Sequence, residues 1–99
     1  MNVRFTLLAQ RELNEVLDYY AAFGPATARK LAREMGEGFA RVSRNPAACP
    51  FYSPPFRRMK AKSFPYGFIY TVVDEDIVVE AVVHLRRNPA TIRARLRLS

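Results

Sequence analysis

Two stretches decide the fold: Phe64-Pro65-Tyr66-Gly67-Phe68-Ile69-Tyr70, and Ile77-Val78-Val79-Glu80-Ala81-Val82-Val83-His84-Leu85-Arg86-Arg87-Asn88-Pro89. Tyr66 to Val73 is apolar on both alternating faces, which predicts a central strand covered on both sides. Asp74-Glu75-Asp76 predicts a short acidic turn, and Ile77 to Leu85 a second long strand. Its odd positions, Ile77, Val79, Ala81, Val83 and Leu85, are all apolar. Its even positions, Val78, Glu80, Val82 and His84, are mixed, so alternation predicts one buried face and one partly buried face. The strand ends in a histidine and two arginines, so a buried sheet delivers a basic cluster to its edge.

At the N-terminal end, Asn2 to Leu7 alternates polar and apolar and predicts a half-buried strand. Ala9, Leu13, Val16, Leu17 and Tyr20 form one apolar stripe, predicting a helix from about Ala9 to Phe23. Gly24-Pro25 breaks the chain, and proline suits the first turn of a new helix. Ala28, Leu31, Ala32, Met35, Phe39 and Val42 make a second stripe running to about Arg44, where Asn45-Pro46 stops it. Gly36 and Gly38 are expected to mark close approach to the first helix. Residues 46 to 56 hold four of the seven prolines together with Cys49, Phe51 and Tyr52; such aromatics need burial, which predicts an ordered loop. Arg57 to Lys62 predicts a strand with Arg58, Lys60 and Lys62 on one face and Arg57, Met59 and Ala61 on the other. In the tail, Ile92, Ala94, Leu96 and Leu98 alternate with Arg93, Arg95 and Arg97. That favours an extended segment, although Ile92 and Leu96 also suit one helical turn. The order strand, helix, helix, strand, strand, strand predicts an α+β fold of two layers, a helix hairpin on a mainly antiparallel sheet.

With 99 residues the chain is expected to be one domain, residues 1–99, with a single core. No apolar run approaches the roughly 20 residues a membrane helix needs, and Met1 to Phe5 lacks a signal-peptide pattern. The lone Cys49 cannot form an intrachain disulfide, which fits a reducing cytoplasm. Carboxylates do not cluster with the one histidine and one cysteine, so no metal is expected. The net charge is +7 and uneven. Residues 1–50 carry seven basic and five acidic side chains, residues 51–99 nine and four, and five arginines but no acid follow Glu80. This asymmetry points to a polyanionic partner without choosing among RNA, DNA and an acidic protein segment.

Several pieces in order carry a resemblance. They are the first strand and a helix ending near Asp18-Tyr19-Tyr20, then Pro25 with the Ala28 stripe, then the Arg44-Asn45-Pro46 stop. Phe64-Pro65-Tyr66 leads into an Ile69-Tyr70 strand, and His84-Leu85-Arg86-Arg87-Asn88-Pro89 is followed by Arg95. The chain resembles a ParE-type toxin of the ParE/RelE superfamily over nearly its whole length, departing at Ile92, where tryptophan is common. The resemblance implies the toxin of a bacterial type II toxin–antitoxin pair, held in a heteromeric complex by a cognate ParD-like antitoxin. It implies DNA gyrase as the target, with no cofactor. The RelE branch shares the fold but cleaves mRNA in the ribosome, so the branch is the functional question.

A ribonuclease of this fold would need a proton shuttle and cations for the phosphorane. His84 would be the shuttle, with Arg57, Lys60 and Arg86 for the phosphate. Beyond Arg87 nothing can move a proton at neutral pH, since arginine is a poor acid. Glu80 lies roughly 13 Å from His84 along the strand and cannot relay to it directly. Contact with a target is therefore expected from Arg86, Arg87, Arg93, Arg95 and Arg97. Arg58, Lys60 and Lys62 repel one another on one face, which an acidic antitoxin segment would relieve; Tyr19, off the main stripe, is a further antitoxin contact. A basic nucleic-acid-binding module is a third reading, but neither helix clusters Arg or Lys as a recognition helix does, so direct nucleic-acid binding is not expected.

Overall fold

The computed structural model describes residues 2–98. Strand β1, Val3–Phe5, leads at once into helix α1, Leu7–Ala21, because the Thr6 hydroxyl accepts the Ala9 N–H and caps the helix. The helix thus starts two residues before the apolar stripe does. Gly24 has φ 140°, a conformation that a side chain would strain, and Pro25 follows as the first residue of helix α2, Pro25–Arg44. Asn45 closes that helix and caps a short 3-10 turn, Pro46–Ala48. Strands β2, Phe51–Ser53, β3, Phe56–Lys60, β4, Tyr66–Val73, and β5, Asp76–His84, complete one sheet in the order β1-β5-β4-β3-β2. All neighbours are antiparallel except β1 and β5. The expected α+β architecture is the one observed.

Both helices lie on one sheet face. Leu31, Met35 and Val42 of α2 and Ala9 and Val16 of α1 meet Met59, Phe68, Tyr70, Ile77 and Val79 there. The α2 stripe differs from expectation at two positions: Ala32 is exposed and Glu34 is buried. Glu34 is tolerated inside because its carboxylate accepts the Ser63 N–H at 2.6 Å, anchoring the loop between β3 and β4. Gly38 approaches closely, but against Met59 of β3 rather than the first helix, and Gly36 faces open space.

Strand β5 departs from simple alternation. Ile69 pairs with Ala81 and Tyr70 with Val79, so Glu80 is an extra residue, a β-bulge. The bulge turns the strand over. Ile77 and Val79 face the helix layer, whereas Ala81 and Val83 face the opposite side. A uniform odd-numbered face therefore does not exist.

The tail is helical. Asn88 caps helix α3, Pro89–Arg95, and Arg97 closes it at φ 59° while the Leu98 N–H reaches the Arg93 carbonyl. Ile92 and Leu96 pack on Ile69, Ala81 and Val83, a second, smaller core on the sheet face that the hairpin leaves uncovered.

Candidate functional site

Strand β1 pairs with β5 only as far as Val79. Beyond it, among the described residues, the outer edge of β5 is met by side chains rather than by a strand. The Glu12 carboxylate accepts the Val82 N–H at 3.1 Å. Arg95 donates to both oxygens of the same carboxylate, at 2.7 and 2.8 Å, and also to the Glu80 carbonyl at 2.9 Å. One two-pronged ion pair, about a fifth exposed on each side, thus joins α1, β5 and α3.

Past this pair a cleft of about 340 Å³ opens between α1, the end of β5 and α3. Tyr19, Tyr66, His84 and Arg87 line its mouth. Tyr66 and His84 are cross-strand partners with rings edge to face at 5.0 Å. His84 Nδ1 accepts the Arg86 N–H at 3.2 Å. Tyr20 stacks edge-on against Phe64 and Tyr66. Burial first, then the neighbouring Tyr66 and Tyr19, push its phenol pKa up. Tyr19 and Phe23 stand beside it, largely exposed.

The arginines expected to meet a target divide. Arg86 and Arg87 are exposed on the turn after β5. Arg97 is exposed at the end of α3 and Arg93 is half-buried, whereas Arg95 is turned inward to Glu12. The residues expected to meet an antitoxin also divide. Arg58 is exposed on the sheet face away from the hairpin, since Met59 beside it points into the helix layer, whereas Lys60, exposed at the end of β3, lines a groove against α2. Lys62 lies past the end of β3, beside a groove against α2 with Glu34 and Arg41, and Tyr19 is on α1.

The set assigned to a ribonuclease is dispersed. His84 lines the cleft with its cross-strand partner Tyr66, while Lys60 lines a separate groove against α2 and bonds the Ala61 carbonyl. Arg57 is three residues further along β3, donating to the Cys49 carbonyl at 2.7 Å and lying over the Phe51 ring at 3.8 Å. Among the described residues no three of His, Cys, Asp and Glu gather as metal ligands, and no helix is long and apolar enough to cross a membrane.

Sequence reasoning missed Glu12. It sits beside the apolar stripe like any solvated helix residue, and its partner is 83 positions away. The one local sign, a carboxylate flanking a stripe that faces a sheet edge, is too common to single it out.

Residues 3–89 match the family model described as the ParE toxin of the type II toxin–antitoxin system, parDE. Among solved structures the chain is similar to the chromosomal ParDE TA system from P. aeruginosa, with a TM-score of 0.74 and 19% identity, over 87% of this chain and 97% of that one. It is also similar to the isolated E. coli RelE toxin, with a TM-score of 0.53 and 21% identity, over 97% of this chain and 96% of that one. At such identities the structural likeness is one of fold. No curated protein sequence matches the chain.

Proposed function

The chain belongs to the ParE toxin family of type II toxin–antitoxin systems, and from that premise we propose that it inhibits DNA gyrase by protein–protein contact and is neutralised by a cognate ParD-like antitoxin. The target-facing surface is the basic turn Arg86–Arg87 together with α3. The antitoxin, an acidic chain, covers Tyr19 on α1 and Arg58, Lys60 and Lys62 around β3. The working compartment is the cytoplasm, where gyrase and DNA are, and the toxin–antitoxin heteromer is the resting state. The unit is a single domain spanning residues 1–99.

The observation that carries this reading beyond the family is the dispersal of the acid–base candidates. Phosphoryl chemistry needs proton shuttle and cations converging within hydrogen-bond reach of one phosphate. Here His84 lines the cleft beside α1 and α3 while Lys60 lines a separate groove against α2, and Arg57 is engaged with Cys49 and Phe51. Exposed Arg86 and Arg87 beside an aromatic cleft suit a protein contact instead, where arginine and tyrosine dominate binding. Expression without antitoxin is expected to stop growth with accumulation of broken DNA, and co-expression of the antitoxin to restore it. Growth arrest with cleaved ribosomal mRNA and intact DNA would contradict the proposal and favour the ribonuclease branch.

A further inference from the structure

Arg95 turns its guanidinium toward the protein. Its Nε and Nη2 grip Glu12, and Nη2 also reaches the Glu80 carbonyl at the bulge. Glu12 is simultaneously the acceptor for the Val82 N–H, the backbone group that the end of β1 leaves exposed on the edge of β5. Beyond this pair, α3 rests on the sheet chiefly through Ile92 and Leu96. The clasp therefore fixes where α3 lies relative to the turn that carries Arg86 and Arg87.

We propose that Glu12 and Arg95 are positioning residues: they clasp α3 against the open edge of β5 and so hold the basic turn and α3 as one rigid surface for an acidic protein target. This rests on the reading of the protein as a contact inhibitor. It separates the arginines by role. Arg86 and Arg87 touch the target, whereas Arg95 acts through Glu12. Holding long cationic side chains on a fixed frame reduces the ordering cost of binding. Loss of the clasp leaves the core intact, because the helix hairpin and the sheet pack through other residues.

Geometry, rather than charge, is the distinguishing feature. A lysine at 95 keeps the charge but has no planar fork to meet both carboxylate oxygens and the Glu80 carbonyl together. The test uses the full chain with Glu12→Ala, Arg95→Lys, the double variant and Arg87→Ser. Readouts are inhibition of gyrase supercoiling, the rate of trypsin cleavage at Arg93, and hydrogen exchange of the Val82 amide. The expected result is a loss of inhibition of roughly tenfold in both Glu12→Ala and Arg95→Lys, with the double variant no worse than either. The same variants lose protection at Val82 and at Arg93, while Arg87→Ser loses inhibition with both protections unchanged.

Full inhibition by Arg95→Lys, or additive losses in the double variant, would make Arg95 an ordinary charge contact and overturn the proposal. If the parent protein leaves gyrase untouched, the functional reading fails by itself. The protections at Val82 and Arg93 then decide the clasp, and wild-type protection in Glu12→Ala would overturn it.

Discussion

The carbonyl oxygen of Met59 on β3 occupies the space that a Cβ on Gly67 of β4 would need, and Lys60 Cα stands 3.0 Å from the same point. Paired strands approach there with no room for a side chain, while Leu85 Cδ1 closes the other side at 2.8 Å. Gly67→Ala must therefore push backbone against backbone. A cost of about 1–3 kcal/mol is expected, which for a chain of this size lowers Tm by at least about 4 °C. Gly36, inside α2 with nothing within 4 Å, gives the opposite sign. Gly36→Ala should gain about 0.5–1 kcal/mol through helix propensity. Gly38→Ala should fall between, because it meets the flexible thioether end of buried Met59. Thermal unfolding of the three variants checks the order; a stabilised Gly67→Ala would contradict the packing described.

Tyr70 is fully buried and its hydroxyl donates to the Pro46 carbonyl at 2.6 Å, tying β4 to the 3-10 turn that follows α2. Tyr70→Phe leaves that carbonyl without its donor and should cost about 1–3 kcal/mol in urea denaturation. Burial foremost, and Cys49 beside it, hold the phenol pKa above its ordinary 10.0. The neutral phenol is thus favoured by folding. Its contribution is complete below pH 10 and declines as pH rises above it, because the unfolded chain releases the proton first. Tyr70→Phe should lack this part of the alkaline loss; equal alkaline slopes in the two proteins would contradict the assignment.

Burial opposes ionisation of Glu34, but the Ser63 N–H, the Ser63 side chain, the Lys30 charge and the Lys62 N–H outweigh it, and its pKa falls below the ordinary 4.5. A lowered carboxyl pKa stabilises the fold above pH 4.5, and that contribution is lost as pH drops through the folded value. Glu34→Gln should therefore cost about 1.5–3 kcal/mol at pH 7 and progressively less at pH 3. Urea unfolding at both values measures the difference, and a penalty independent of pH would show that the charge does not matter.

Arg58 and Lys60 are exposed on alternate positions of β3. Two like charges held about 7 Å apart on one strand favour an acidic cover. Replacing both with serine should weaken antitoxin binding at least tenfold with little change in Tm, since exposed charges contribute little to folding. Calorimetric titration with the antitoxin decides this; unchanged affinity would move the antitoxin's site elsewhere.

Where local pattern carries the information, the sequence was readable. Tyr66–Val73 is a strand with the bounds that its two-sided apolar run suggests, and Pro25 and Asn45 bracket α2 as their backbone chemistry requires. Long-range contacts set the rest. The bulge at Glu80 is invisible to a period-two pattern because both faces of β5 are apolar enough to accept either register. The tail resisted assignment because alternating Arg and aliphatic residues fit a strand, while Ile92 and Leu96 fit a helix that only the sheet beneath them selects. Glu34 and Glu12 look like solvated helix residues until Ser63 and Arg95 arrive from distant parts of the chain. For the same reason the basic C-terminal segment was legible as a charge, but not as a surface from which Arg95 is withdrawn.

The most direct test of contact inhibition is gyrase supercoiling of relaxed plasmid by the purified protein, with and without its antitoxin. Loss of supercoiling with accumulated cleaved DNA is expected, reversed by the antitoxin and diminished at least tenfold by Arg86→Ser combined with Arg87→Ser. Unimpaired supercoiling by a folded protein that still binds its antitoxin would contradict it.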